Sequence, residues 1–293
     1  MELWFLGSAS GLPTAARFGQ TIVLAEKGLS SSDPGPLIVI DPGDGASSLM
    51  ARCRLDHRAI SAVLISHMHG DHHCGLIQLL KTSMHLGKSD ELVILAPAEG
   101  IDPLKAYLRA SYLYDEALGY PVRWIPLTEL TSKSVTIRNI TVDVRPNDHL
   151  RSARRLIEKH GIKPEKPRTF ESYSMSFACA GRRIVYVGNL AGGGELQTLA
   201  PFFEPCDVLI CEMAHVTPEH IGAFLEGARV GHTVVTHFNP KWDSVDPEQI
   251  LGTISSSAKK DLRGRVTLAV DGVVVALEEQ GVRVSHAAHG LTA

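Results

Sequence analysis

The sequence has 293 residues, a hydrophobic fraction of 44% and a formal net charge of −3. A chain of this length can bury the core of one large domain or of two small ones. Its charge lacks the basic surplus that is typical of a stand-alone nucleic-acid-binding protein. No apolar run reaches the roughly 18 residues needed to cross a bilayer. Because no linker of domain-boundary length interrupts the chain, we expect a single domain over residues 1–293.

The five cysteines are odd in number and scattered along the chain. This spacing indicates neither a disulfide framework nor a zinc ribbon. The start of the chain, MELWFLGSAS, has neither the basic region nor the full apolar region of a signal peptide. We therefore expect a soluble, cytoplasmic protein with no membrane partner.

Apolar, β-branched runs that end in polar or glycine-rich turns predict strands along the whole chain. In chain order these strands are Glu2–Leu6, Gln20–Ala25, Leu37–Asp41, Ala62–Ser66, Leu92–Ala96, Val135–Arg145, Ser174–Cys179, Arg183–Val187, Val208–Cys211, Thr233–Thr236 and Val266–Ala269. The predicted helices are Gly45–Cys53, Cys74–Met84, Ile101–Leu118, Leu196–Phe203, Pro218–Ala228 and Pro247–Ser257. Segments 28–36 and 150–171 have the composition of insertions, the first of a hairpin loop and the second of a basic surface excursion. The mixture of strand pairs and interspersed helices favours helices packed outside two sheets.

The run HMHGDH over residues 67–72 directly follows an apolar strand and is the most informative segment. Residues i and i+2 of an extended segment point the same way, so His67 and His69 can reach one ion. After the glycine the chain turns, and Asp71 and His72 can serve a second ion. Two metals about 3.5–4 Å apart can share a hydroxide and clamp an in-line displacement. The alternative is a polar loop that is rich in histidine by chance, but the spacing favours a divalent metal centre.

This H-x-H-x-D-H run resembles the signature of the metallo-β-lactamase-fold hydrolases, and the resemblance extends from Met1 to about Asp243. His149 matches a family histidine that follows a later strand, and His237 matches another near the C-terminus. The segment Ile40–Gly43 resembles the buried-aspartate motif of the family. The resemblance implies a four-layer αββα sandwich, of class α/β (α+β), with two mixed sheets flanked by helices. It also implies two ligand sets, His67, His69 and His149 for one metal and Asp71, His72 and His237 for the other.

Within this superfamily the motifs are most similar to those of the ribonuclease Z branch, which trims the 3′ ends of tRNA. The opening LGSASGLPTAARFGQT and the strand pair SYSMSFACAGRRIVYVGNLAG resemble that branch. Glu212 and the trio His215-Val216-Thr217 resemble its glutamate and histidine-x-threonine elements. The resemblance implies that His215 is a general acid or phosphate-side donor at the leaving group and that Glu212 orients it. The alternative for His215 is a neighbour of a helix cap without a chemical role.

The sequence departs from the family at Asn189, in the run Val187-Gly188-Asn189-Leu190. The family carries here an aspartate that bridges both metals. An amide offers one neutral oxygen and a nitrogen that does not ligate usefully, so we expect weaker occupancy of one or both metals. A natural variant with an altered metal centre, a non-catalytic relative and a substitution introduced to trap substrate all remain open.

A second departure concerns the long glycine- and proline-containing arm with which ribonuclease Z grips tRNA. In bacterial forms this arm lies between the third and fourth metal motifs, where the present chain has only Leu150–Glu171. That segment is short for an arm, and its core ARRLIEKH predicts a small helix. It carries the basic residues Arg151, Arg154, Arg155, Lys159, Lys163, Lys166 and Arg168. These cations form either a solvated face or a contact with substrate phosphates.

The sequence therefore predicts a metal-dependent hydrolase in which a metal-bound hydroxide attacks a phosphodiester. We expect one or two zinc ions, with manganese or iron as alternatives. The expected catalytic residues are Asp71, His215 and Glu212, and Asn189 joins the six other metal-site residues as a weakened bridge. Two alternatives remain open: hydrolysis of another ester (carboxylic, lactone, thioester or sulfate) at the same site, and a non-catalytic metal-binding relative. RNA and a second copy of the chain are further candidate partners.

Overall fold

The computed structural model describes residues 1–27, 35–164 and 166–287. The strands in these ranges are β1 (Glu2–Gly7), β2 (Thr21–Ala25), β3 (Leu37–Ile40), β4 (Ile60–Leu64), β5 (Leu92–Ala96), β6 (Val122–Pro126), β7 (Val135–Ile137), β8 (Ile140–Pro146), β9 (Tyr173–Cys179), β10 (Arg182–Tyr186), β11 (Cys206–Met213), β12 (Val230–Phe238), β13 (Val266–Leu268), β14 (Val273–Glu278) and β15 (Gly281–His286). The α-helices are α1 (Ala46–Arg52), α2 (Leu76–His85), α3 (Ala98–Ala110), α4 (Arg151–Lys159), α5 (Gly193–Thr198), α6 (Ala200–Phe203), α7 (Pro218–Gly227) and α8 (Pro247–Ser257).

The strands form two mixed sheets. The first has the order β15-β14-β1-β2-β3-β4-β5-β6, and the second has the order β13-β12-β11-β10-β9-β8-β7. Strands β3 to β6 run parallel in the first sheet, and β10 to β13 run parallel in the second. Because the carboxyl ends of parallel strands meet at one edge, each sheet offers an edge where loops converge.

Three apolar layers hold the sheets and helices together. The inner faces of both sheets meet in a core that contains Phe5, Ile40 and Tyr186, each fully buried. The outer face of the first sheet packs against α1 to α3, and the outer face of the second packs against α5 to α8. Burying one such large apolar side chain stabilises the fold by roughly 1.5–3 kcal/mol. The predicted αββα sandwich with two mixed sheets is confirmed.

Several predicted element boundaries are wrong. The segment Val135–Arg145 is not one strand but the hairpin β7–β8, which turns at Arg138 with a φ of 56°. Helix α3 ends well before Leu118, since Tyr112 adopts a φ of 60° that a helix cannot continue. The segment Leu196–Phe203 is divided between α5 and α6 at Leu199.

Strands β6, β14 and β15 were not predicted. The first and last are only partly buried and carry charged residues, so they lack a clean apolar pattern, whereas β14 is an apolar run that the prediction overlooked. The predicted loop 28–36 falls mostly outside the described residues. Within the described ranges, no helix is both long and apolar enough to span a membrane.

Candidate metal centre and active site

The side chains that the sequence singled out converge where strands of both sheets end. Residues 67–72 follow β4, His149 follows β8 and Asn189 follows β10, while Glu212 and His237 occupy the next-to-last positions of β11 and β12. Two isolated bridges, Ala9 to Phe238 and His67 to Ser172, join the edges of the two sheets at this point. The fold thus brings residues that are far apart in sequence to one cleft.

The first ligand group consists of His67, His69 and His149, whose ring nitrogens lie within 4.8 Å of one another. The Nε2 atom of His67 lies 3.0 Å from Nδ1 of His69, and Nε2 of His149 lies 3.2 Å from the same atom. The second nitrogens are held from outside, His67 Nδ1 by the Ser66 hydroxyl at 3.0 Å and His149 Nδ1 by the Leu190 carbonyl at 3.4 Å. These outer contacts direct both Nε2 atoms to one point.

The second ligand group consists of Asp71, His72 and His237. Asp71 Oδ2 lies 3.2 Å from His72 Nε2 and 3.4 Å from His237 Nε2. Both histidine side chains are buried, and Asp71 keeps a fifth of its side-chain surface exposed. His237 lies near the end of β12 and has a left-handed backbone conformation, with a φ of 54°. This bend brings its side chain towards the cleft. The carboxylate therefore faces the open side of the cleft.

Asp41 supports the second group from beneath. It follows β3 with a φ of 48°, and its Oδ2 lies 2.8 Å from His72 Nδ1. The same carboxylate accepts hydrogen bonds from the Ser66 amide and hydroxyl and from the Tyr186 hydroxyl, each at 2.7 Å. This fully buried network fixes the ring of His72 so that Nε2 faces Asp71. Ser66 and Tyr186 were missed in the sequence, because nothing local distinguishes them from other strand residues.

Close packing of the backbone keeps the ligand loop against the loop after β3. A Cβ atom placed on Gly43 would lie 2.6 Å from the carbonyl oxygen of Asp71, and one on Gly75 would lie 2.3 Å from the carbonyl oxygen of Gly43. Only glycine fits at both positions. Gly75, which follows the H-x-H-x-D-H run, thus permits the approach that seats the run.

Asn189 lies beside His72 of the second group and is 2% exposed. Its Nδ2 atom lies 3.3 Å from His72 Nε2, and its buried Oδ1 atom has no hydrogen-bond partner in the described residues. A buried amide oxygen without a donor is costly, by about 1–3 kcal/mol. The side chain therefore reaches a candidate metal ligand but brings no negative charge, and its role as a bridge stays a prediction.

Glu212 and His215 form a pair on the wall beside the first group. The buried Glu212 carboxylate accepts from the amides of Ala214 at 2.6 Å and His215 at 2.8 Å, and its Oε1 lies 3.2 Å from His215 Nδ1. The hydrogen bond to Glu212 raises the pKa of His215 above its ordinary value. The His215 ring, 40% exposed, lies with its centroid 4.8 Å from that of His149. Its Nε2 is thus free to act on a molecule bound in the cleft.

The protonation of the first group fits a divalent cation. Burial lowers the pKa of His67, His69 and His149, the last to about 3, so all three present the neutral imidazole that binds metals. Burial would also lower the pKa of His72, but Asp41 and Asp71 raise it to about 10, so a cation at the second group would have to displace a proton from this ring. Three converging neutral nitrogens, one carboxylate and the orphaned Asn189 oxygen form the nitrogen- and oxygen-rich donor set that zinc and similar ions take.

Other histidines do not join this cluster. In the described part of the chain, His73 belongs to neither ligand group, and His232 is held in β12 by the Thr267 hydroxyl at 2.8 Å. The sequence therefore separated the candidate ligands from the remaining histidines as the geometry does, while their role as ligands stays a prediction.

A family model described as a beta-lactamase superfamily domain matches residues 37–238. Ribonuclease Z of Pseudomonas putida is 26% identical over 92% of this chain and 95% of its own length. That alignment spans 322 positions, more than the 293 residues of this chain, so the relative contains segments that this chain lacks. Ribonuclease Z of Bacteroides thetaiotaomicron is 34% identical over half of this chain and 44% of its own length.

Solved structures show the same fold at low identity. Human short-form tRNase Z is 22% identical, covers 95% of this chain and all of its own, and superposes with a TM-score of 0.64. Zinc-bound PqqB from Methylobacterium extorquens is 15% identical over 94% of this chain and all of its own, with a TM-score of 0.65. The chain therefore belongs to the beta-lactamase superfamily and is a hydrolytic enzyme with the metallo-β-lactamase fold, a divalent metal centre and ribonuclease Z-like motifs.

Proposed function

We propose that this chain is a zinc-dependent phosphodiesterase that acts on RNA or a related phosphodiester. The observation that carries the proposal is the Glu212–His215 pair beside the two ligand groups. Ester hydrolysis at a metal centre does not by itself require a histidine at the leaving group. A fixed histidine on that side suits the departure of an alkoxide from phosphorus, which needs a proton. Similarity to ribonuclease Z over most of the chain supports the same substrate class.

Some residues of the site would hold the metals, and others would transfer a proton. His67, His69 and His149 would hold one ion, and Asp71, His72 and His237 the other, with Asn189 between them. When bound, divalent ions lower the pKa of water and stabilise the charge that develops on the phosphoryl oxygens. Asp71, one fifth exposed, would also orient the nucleophile, while Asp41 would hold the ring of His72 in its orientation.

His215 would donate the proton from Nε2 to the departing oxygen. Its Nδ1 is held by Glu212, which favours the doubly protonated ring and fixes its orientation. The Glu212 carboxylate is in turn fixed by two amides of the following turn, so it cannot rotate away. A positioned acid of this kind contributes about 10²–10⁴-fold to the rate.

The test compares the zinc-loaded chain on bis(p-nitrophenyl) phosphate, p-nitrophenyl acetate and p-nitrophenyl sulfate, with metal content measured in the same samples. We expect hydrolysis of the phosphodiester alone, lost after treatment with a chelator and restored by zinc. Replacing His215 by alanine should lower kcat on a short RNA, whose leaving oxygen is an alkoxide, by about 10²-fold or more without lowering metal content. The loss on the aryl phosphodiester should be much smaller, because p-nitrophenolate departs without a proton. His220, whose ring instead caps α7 through Thr217, provides the matched control His220→Ala. Turnover of only the acetate or the sulfate would refute phosphodiester specificity.

Asn189 favours a second candidate function, a metal-binding relative without turnover. Its unpartnered oxygen and missing charge are what a centre that has lost its bridging ligand would present. The discriminating variant is Asn189→Asp, assayed beside the wild type for zinc content and phosphodiester hydrolysis. Activity in the wild type supports the enzyme. Inactivity of both proteins although zinc is bound would support the non-catalytic metal-binding relative, and strong activity in the variant alone would identify the asparagine as an inactivating change.

A further inference from the structure

A cavity of about 260 Å³ opens beside the candidate active site, on the side of His215. Its floor is formed by His149 and His215, and its outer wall by the first turns of α4. The lining residues are His149, Arg151, Ser152, Arg155, Leu190, Ala191 and His215. A molecule whose reacting bond lies at the metal groups would extend past His215 into this cavity.

Helix α4 places an unusual amount of positive charge against this cavity. None of its residues is buried, so its position is not set by an apolar face packed on a core. Arg151 forms an ion pair with Asp148, while Arg154 lies 3.8 Å from Glu158 and over the ring of Phe170. Arg155 also lines the cavity, but within the described residues it has no ion-pair partner. Within this part of the structure, the Arg155 guanidinium therefore keeps its N–H donors available for a molecule bound beside His149 and His215.

We propose that Arg155 binds a phosphate next to the scissile one, on the leaving-group side, so that the substrate is a single-stranded oligonucleotide. This inference rests on the proposed phosphodiesterase function. The scissile phosphate already faces the metal groups and His215, which leaves Arg155 without a role on a substrate that has only one phosphate. A guanidinium presents several donors in a plane and matches the oxygens of a phosphate in two contacts.

The short segment around α4 would thereby replace the gripping role of a longer arm at this position. The alignment with the Pseudomonas putida relative is longer than this chain, which shows that the relative has additional segments. A cation at the edge of the cleft can hold the strand only near the cut, so recognition extends over few nucleotides. Specificity for a folded RNA is not expected from this contact.

The experiment uses the zinc-loaded full-length chain, a short fluorescein-labelled single-stranded RNA and bis(p-nitrophenyl) phosphate. The variant is Arg155→Gln, and the matched control is Arg154→Gln, which removes the same charge from the neighbouring position that faces Phe170 instead of the cavity. We expect Arg155→Gln to lower the ratio of kcat/KM for RNA over the aryl diester by about 10-fold, mainly through KM. Arg154→Gln should leave this ratio within about twofold of the wild type.

Affinity for the RNA, measured by fluorescence anisotropy over a range of salt concentrations, adds a readout that does not depend on turnover. Loss of one phosphate contact should reduce the slope of log affinity against log salt by about 0.7 for Arg155→Gln. Equal affinities and slopes for the two variants would overturn the inference. An equal loss on both substrates would also overturn it, because Arg155 would then contact the scissile phosphate. Failure of the wild type to cleave either substrate would instead refute the proposed function.

Discussion

The two ligand groups lie side by side in one cleft, yet they hold charge in different ways. His67, His69 and His149 are three imidazoles that burial keeps neutral, supported by a hydroxyl and a carbonyl group. Asp71, His72 and His237 include a carboxylate, and the buried Asp41 adds a second one behind His72. The carboxylates that belong to a ligand group or contact one of its rings directly, Asp71 and Asp41, therefore both lie on the side of the second group.

This asymmetry indicates how each group would bind a cation. The histidine group offers good ligand atoms in a fixed geometry but no charge, whereas the aspartate group offers charge as well. Asn189 lies beside His72 and contributes no charge to either group. A shared carboxylate at that position would remove the difference, so the asparagine makes the two groups unequal.

The largest effect should come from removing one ligand of each group. His69→Ala and Asp71→Ala should each lower bound zinc by about one equivalent and kcat/KM by on the order of 10²–10³-fold. The two losses should differ in kind, since Asp71→Ala also removes a charge that faces His72 and His237. Elemental analysis after gel filtration gives the metal count. His73→Ala lies next to the run but outside both groups, so this variant should keep both zinc equivalents. Loss of zinc from it would contradict the assignment of the ligand groups.

Adding a negative charge at position 189 should strengthen the weaker of the two zinc sites. Asn189→Asp should tighten the weaker zinc equivalent by about 100-fold, because a charge near 4 Å is worth several kcal/mol at an effective dielectric of 20, partly offset by desolvation. Without metal the variant should be less stable than the wild type, since burying a carboxylate costs more than its contact with His72 returns. Calorimetric zinc titration and thermal melts with and without zinc measure both changes. Unchanged affinity and a higher metal-free Tm would contradict the placement of Asn189.

A smaller effect should follow from Asp41→Asn, which keeps the shape of the side chain but removes its charge behind His72. Outer contacts of a metal-binding histidine typically change affinity by about 10–100-fold. We expect this loss for the aspartate group only, with the histidine group unaffected. Cobalt substitution followed by absorption titration distinguishes the two sites. An equal loss at both would mean that Asp41 supports the fold of the loop and not one ligand.

The smallest effect should come from Ser66→Ala. The Ser66 hydroxyl contacts His67 Nδ1 and Asp41, and both contacts are ordinary hydrogen bonds of about 1 kcal/mol each. Metal affinity of the histidine group should therefore fall about fivefold, and the free energy of unfolding should fall by about 1–2 kcal/mol. Urea denaturation and zinc titration measure these changes. A loss as large as that of Asp41→Asn would remove the distinction between charged and neutral support.

Site features that depend on neighbouring residues could be predicted from the sequence, whereas features that depend on distant residues could not. The run at residues 67–72 gathers four candidate ligands within one loop, so their spacing alone predicts a metal centre. His149 and His237 come from other strands, and only resemblance to a family singled them out, because no local pattern marks a residue that is distant in sequence. The contacts of Ser66 and Tyr186 with Asp41 join three strands, and a sequence without its fold does not contain them.

The prediction of the strands likewise depended on how clearly each one appears as a local pattern in the sequence. Buried central strands such as β4 and β5 are continuous apolar runs, and β5 was predicted to the residue and β4 with a shift of two residues. The edge strands β6 and β15 were not, since their polar residues are satisfied by solvent on one side and blur the pattern. Likewise, the basic composition of α4 was visible in the sequence, but which of its arginines faces the active site depends on packing.

Anomalous scattering at the zinc edge, from crystals grown with excess zinc, tests the central claim most directly. Two adjacent ligand groups predict two peaks about 3.5–4 Å apart. One should lie among the nitrogens of His67, His69 and His149, and the other among Asp71, His72 and His237, with Asn189 between them. Two peaks of unequal height fit the weakened bridge, whereas no peak at either group, or peaks bound by residues outside these groups, would contradict the account.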